Sequence, residues 1–315
     1  MHLLICLPLI VPFLAAACAR PVADRLPPAT ATWLLTLSAV MLAGASCAVL
    51  GLLVIAAAIR LPVIAAAGRL SLTVVERTDP ASLPLGLFAG GLLTLAAGAA
   101  VIATWRRTSA IIRAHREARQ LSGAGPVVII EDDRADAYAA PGWPGRIVIT
   151  SGMLAALNGS ECDVVLAHER AHASGCHYLF TAAVRLSAAA NPLLRPVATA
   201  VGYSVERWAD ERAARAVGNR KLVARTVAKA ALAASAAPSG SRPAVALAAV
   251  PGRLPDRTSG AVPRRVGALL LPPPRRSLIL PVVAAALLLL SAAAVVDAAG
   301  SLHATIEFAQ AAFVS

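Results

Sequence analysis

Charge is scarce in this chain, and lysine scarcer still. Only 15% of the 315 residues are Asp, Glu, Lys or Arg. The lysines are Lys221 and Lys229, so arginine supplies nearly all of a formal net charge of +12. Aromatic residues make up 4%, and no helix-turn-helix, zinc-knuckle or RNP-like pattern occurs. The basic balance therefore does not point to direct nucleic-acid binding. It fits arginine retained on the cytoplasmic side of a bacterial plasma membrane. Cysteine is sparse as well: Cys6, Cys18, Cys47, Cys162 and Cys176 are scattered without a C-x-x-C pair, which excludes a disulfide framework. Cys162 and Cys176 read as small packing residues. Asp132, Asp133 and Asp136 lack the spacing and closing Glu of a calcium loop and read as a solvated turn.

What is abundant is apolar. Hydrophobic residues make up 58% of the chain and the mean hydropathy is +0.70, which calls for membrane spans. Four runs are long enough to cross a ~30 Å hydrocarbon core: residues 2–19, 33–59, 84–105 and 278–299. The first has no basic residue before it, so an uncleaved helix is expected rather than a signal peptide. Trp105-Arg106-Arg107 closes the third run as an interfacial boundary. A short helix is expected over 108–121, strands over 127–130 and 138–150, and a helix over 220–236. Residues 60–83 read as a mixed loop. Residues 178–203 are apolar but broken by Arg185, Asn191-Pro192 and Arg195-Pro196; they read as a helix pair packed on the catalytic region. The Pro-, Gly- and Arg-rich stretch 237–277 reads as a flexible connector, and 300–315 as a short tail. The fold class is thus a mainly α membrane protein: about four transmembrane helices plus a small α+β domain over 106–236.

The chemistry centres on His168-Glu169-Arg170-Ala171-His172. Residues i and i+4 share a helix face, so His168 and His172 can offer two imidazoles to one ion. Glu169 beside them can take a proton from water, the pattern of a zinc peptidase. Ser160 reads as the N-cap of this helix, with Asp163 at the capping-box position. Thirty-four residues after His172, Glu206-Arg207-Trp208-Ala209-Asp210 reads as a second helix. Glu206 completes a His-His-Glu set, and Asp210, one turn on, can hold the other nitrogen of a ligand histidine. Arg207, Glu211 and Arg212 read as the solvated face of that helix.

HERAH followed by ERWAD resembles the zincin-like gluzincin membrane peptidases. It is similar both to the BlaR/MecR-type signal-transducing metallopeptidases and to the HtpX-type and CAAX prenyl peptidases. The run from Ala137 to Leu154 resembles the edge strand and turn beside their active-site helix. The resemblance implies one Zn2+ per chain on His168, His172 and Glu206, with Glu169 as base, and a peptide bound by strand addition near 146–150. Many relatives have an Arg-Asp pair where this chain has Gly175-Cys176-His177. Three spans, a zincin and one span favour the BlaR/MecR branch, with no penicillin-binding domain expected after the last span. The arginine asymmetry places 106–277 in the cytoplasm. The expected function is an integral-membrane zinc endopeptidase cleaving a cytoplasmic protein, such as a transcriptional repressor, in regulatory signalling. HtpX-like membrane protein quality control and a non-catalytic zinc-bearing sensor or scaffold are the alternatives. The expected partners are the lipid bilayer and a protein or peptide substrate.

Overall fold

Long apolar runs set the first layer. The computed structural model describes residues 6–78, 82–120, 125–140, 146–236, 260–272, 274 and 277–314. Helix α1 (Leu7–Arg25) and helix α2 (Pro28–Ala58) both carry proline in their first turn, where its missing N–H costs nothing. Two short helices follow, α3 (Pro62–Ala67) and α4 (Leu72–Thr78), where a mixed loop was expected. Helix α5 runs unbroken over Leu83–Gln120. Nothing between Trp105 and Arg113 is Pro or Gly, so the third span and the helix expected beyond it are one element. The last helix, α12 (Ile279–Val314), likewise takes in the expected tail. Its end is anchored: Ser71 N–H donates to the Ala309 carbonyl, and Ala309 is buried with Leu70 and Val75. Among the described residues, four helices are long and apolar enough to cross a membrane: Leu7–Arg25, Pro28–Ala58, Leu83–Arg113 and Ile279–Phe313.

Between these helices lies a hairpin. Helix α8 (His177–Ala190) and helix α9 (Arg195–Val217) are joined by a 3-10 turn over Pro192–Leu194, capped by the Asn191 side chain. The Asn191 amide donates to Ser46 Oγ at 3.1 Å, and Ser46 Oγ lies 2.9 Å from the Pro8 carbonyl. Ser46 sits about 27 Å along α2 at 1.5 Å per residue. The tip of the hairpin therefore reaches far down the apolar helices. Phe180, Val184, Leu194 and Val201 share one core with Val11, Leu35 and Leu42. Residues 178–203 thus form a helical hairpin packed against the apolar helices. Arg207 corrects the sequence reading of a solvated face: it is 4% exposed and its Nη1 donates to the Ala23 carbonyl. The end of α1 leaves that carbonyl without a helical partner, and the guanidinium fills the gap.

The small sheet has strands β1 (Val127–Ile130), β2 (Ala137–Ala140) and β3 (Arg146–Thr150) in the order β1-β3-β2. β1 runs parallel to β3 and β2 antiparallel to it, with Val128 and Tyr138 both opposite Val148. The strand expected to be an edge, 146–150, is therefore central, and β2 is an edge. The acidic trio serves the turn before β2: Asp132 Oδ1 accepts from Arg134 N–H and Asp136 Oδ1 from Ala137 N–H. Gly152 must be glycine, because a Cβ there would lie 2.3 Å from the Asp133 carbonyl. Helix α6 (Ser151–Ala156) follows, capped by Thr150 Oγ1. Beneath the sheet Ile147, Ile149 and Met153 pack against Cys162, Val165 and Leu166 of helix α7 (Gly159–Ser174).

Helix α7 starts two residues earlier than expected. Its N-cap is Asn158, which accepts from Glu161 N–H while Glu161 Oε2 accepts from Asn158 N–H, a reciprocal box. Ser160, read as the cap, instead donates to Asn158 Oδ1. Helix α10 spans Arg220–Ala236. Within the stretch read as a flexible connector, Ala261–Leu270 forms helix α11, while residues 237–259 lie outside the described residues. Val262, Val266 and Leu269 give α11 an apolar stripe at helical spacing, and Leu269 is buried against Val164, Ala213 and Val223.

Candidate metal centre

Two helices bring the predicted ligands together. On α7, the i, i+4 spacing places His168 and His172 on one face, with Nε2 atoms 3.1 Å apart. Helix α9 crosses α7 and presents Glu206 to both. Its Oε2 is 3.6 Å from His168 Nε2 and its Oε1 3.5 Å from His172 Nε2. One ligand atom from each residue lies within 4.8 Å of the others. Ligands held tetrahedrally at 2.0–2.1 Å from a zinc ion stand about 3.3 Å apart, so this donor set fits the ion. Neither Cys162, packed under the sheet, nor the exposed Cys176 belongs to the group.

Each histidine is held from behind. Asp210 Oδ1 approaches His168 Nδ1 at 3.1 Å, close enough for an ion pair though not a well-aligned hydrogen bond. His172 Nδ1 meets His177 Nδ1 at 3.0 Å. An N–H on His172 Nδ1 donating there leaves its Nε2 lone pair for a metal, and puts the His177 proton on Nε2. That Nε2 is buried without a hydrogen-bond partner among the described residues. Gly175 makes room for it, since a Cβ on Gly175 would lie 2.5 Å from His177 Nε2. His177 also stacks near Trp208, ring centroids 4.7 Å apart.

Residue-pair patterns alone do not reveal two further contacts. The first is at Glu169, whose Oε2 accepts from the Ala139 N–H of edge strand β2 at 3.0 Å. The second is Arg265 on α11. Its Nη1 lies 3.0 Å from Glu206 Oε2, and its Nε and Nη2 grip Asp210 at 2.8 and 2.7 Å. The apolar stripe of α11 beside a double arginine is the signal that could have found it.

The electrostatics follow from burial and these pairings. Burial alone pushes Glu206 and Asp210 up, but Arg265 outweighs it, holding Glu206 well below the usual carboxylate range and Asp210 at about 2. Burial opposes the charge on His168, yet Asp210 and Glu206 raise it to about 10. His172 falls to about 3 and His177 to about 4, chiefly by burial. A histidine that holds a metal must be deprotonated, so a metal bound here would compete with the proton that Asp210 and Glu206 favour on His168.

Residues 105–194 match the model of peptidase family M48. The match covers less than a third of the chain; it takes in α7 and ends before Glu206. It supports a metallopeptidase similar to this family, and the four long apolar helices suit a multi-pass membrane protein. Comparisons with curated proteins and with solved structures give no match.

A cleft of about 1120 Å³ opens on the metal group. His168, Glu169, Glu206 and Arg265 line one part. Ala188, Ala189, Ala198 and Gly202 of the hairpin line another.

Proposed function

We propose that the protein is an integral-membrane zinc endopeptidase that uses His168, His172 and Glu206 as ligands and Glu169 as general base, with its catalytic domain in the cytoplasm. The observation that carries this is the convergence of the two Nε2 atoms and the Glu206 carboxylate at tetrahedral spacing, with a glutamate next to the first histidine in sequence. A bound zinc ion would polarise the scissile carbonyl and acidify the attacking water. Glu169, steadied at Oε2 by Ala139 N–H, takes the proton from that water and passes it to the leaving amine. Asp210 and His177 orient the two imidazoles. An extended peptide adds along the outer side of β2, the edge beside Glu169, so its scissile bond arrives next to the base.

The substrate we infer is a cytoplasmic regulatory protein of the repressor kind, as the BlaR/MecR resemblance suggests. The cleft along the hairpin favours a second reading, a membrane protein whose apolar segment lies against Ala188 and Ala198, as in quality control. Purified full chain and its Glu169→Gln variant, given a soluble peptide library and a membrane-anchored library side by side, test both. Cleavage by wild type alone supports the peptidase, and the library cut identifies the substrate class. Equal turnover by the variant would refute Glu169 as base. No turnover of either library by metal-loaded wild type would favour the scaffold reading.

A further inference from the structure

Helix α11 makes two contacts from adjacent residues. Arg265 points inward to Glu206 and Asp210. Arg264, about 100° round the helix, points to the end of α1, with Nη2 2.5 Å from Asp24 Oδ1 and its guanidinium 4.1 Å from the centre of the Tyr203 ring. Tyr203 sits one turn before Glu206 on α9. The other half of α11 is held separately. Arg220 donates to the carbonyls of Ala268, Leu269 and Leu271, closing the helix C-terminus, and Leu269 is buried. Nine positions after α11 ends, α12 begins its run of apolar residues. The N-terminal half of the helix thus joins the end of the first membrane-spanning helix to the metal group.

Resting on the metal site argued above, we propose that Arg265 is a positioning residue of that centre, that α11 is the latch that seats it, and that the Arg264–Asp24 pair ties the latch to the end of the first membrane helix. Arg265 does not displace a metal. With the guanidinium in place, both Glu206 oxygens still face the histidine Nε2 atoms, at 3.5 and 3.6 Å. A planar fork spans the ligand Glu206 and the carboxylate behind His168, fixing two of the three ligands relative to each other. Arg264 and Arg265 are rigidly joined, so drawing α11 away from α1 withdraws the fork. Movement of α11 against α1 is thereby converted into a change of metal affinity.

The test is a cobalt(II) titration of the detergent-purified full chain against a competing chelator, reading affinity and the visible spectrum of the bound ion. Arg265→Ala is expected to weaken binding about 10–100-fold, the range for residues that orient metal ligands, and to alter the spectrum. Arg265→Lys, with one point charge in place of a fork, should recover part of the loss. Asp24→Arg should weaken binding several-fold, and adding Arg264→Asp to it should restore the wild-type value. Should Arg265→Ala fail to fold, the lysine variant and the charge swap carry the test. Unchanged or tighter binding in Arg265→Ala or, where it does not fold, wild-type affinity in Arg265→Lys would overturn the positioning role. An inert Asp24→Arg, or a double variant no better than the single, would overturn the tie to α1. A wild-type chain that takes no metal would sink the site itself and this inference with it. Normal wild-type binding with inert variants would sink the latch alone.

Discussion

Helices α7 and α11 face the same pair of carboxylates with opposite chemistry. From α7 come two imidazoles, which serve a metal only when neutral. From α11 comes a guanidinium, which never gives up its charge. The first helix is pinned by its own ends: the Asn158–Glu161 box at its start, and the sheet packed on one side. The second is pinned by other parts of the chain, Arg220 at one end and Asp24 at the other. The two histidines are thus rooted beside the sheet, while the arginine that braces Glu206 and Asp210 is held by Arg220 and by the end of α1.

The comparison breaks most sharply at α7. Replacing His168 or His172 by Ala should abolish stoichiometric zinc, a loss larger than the roughly 10–100-fold expected from any supporting residue. Zinc retained in either variant, measured by elemental analysis, would mean that the ligands lie elsewhere. Glu169→Gln separates holding from reacting: zinc should stay, while peptide cleavage falls about 10²–10⁴-fold. A fall in zinc alongside cleavage would show that Glu169 holds the metal rather than the proton. On the supporting side, Asp210→Asn keeps the shape but removes a charge shared by His168 and Arg265. Zinc affinity should drop by about 10–100-fold with the fold intact, read by chelator competition and circular dichroism.

The smallest effect concerns the root of α7. The Lys229 ammonium, 2.6 Å from Glu161 Oε2, and the Asn158 amide hold the Glu161 carboxyl below the ordinary glutamate range. A carboxyl depressed in the folded state stabilises above its unfolded pKa, and that stability is lost as pH falls through the lowered value. The Lys229→Met variant should therefore be less stable than wild type above the glutamate range, and the two acid profiles should converge as pH falls through the lowered value. Superimposable acid profiles would remove Lys229 from the anchoring of α7. Asn158→Ala should cost about 1 kcal/mol through the lost cap at any pH where Glu161 is ionised.

The parts legible in the sequence share a property: local spacing carries them. His168, Glu169 and His172 sit at fixed helical offsets, and Glu206 and Asp210 lie one turn apart, so their shared faces follow from helix geometry. The apolar spans are legible because length and hydropathy are local quantities. Contacts made by the tertiary fold are not. Arg265 lies 55 residues after Asp210, in a segment whose composition suggests a linker. Ala139 offers a backbone N–H, which no side-chain pattern marks. The central place of β3 depends on a parallel partner from across a turn, and so the edge passed to β2. Arg207 reads as solvated on its own helix and is buried only because α1 lies over it.

The most direct test of the account is the zinc content of the full chain purified in detergent, determined in parallel for wild type, Glu169→Gln and His172→Ala. One zinc per chain in the first two and none in the third is the predicted result. A wild type without zinc, or a His172→Ala variant that still carries one per chain, would contradict it.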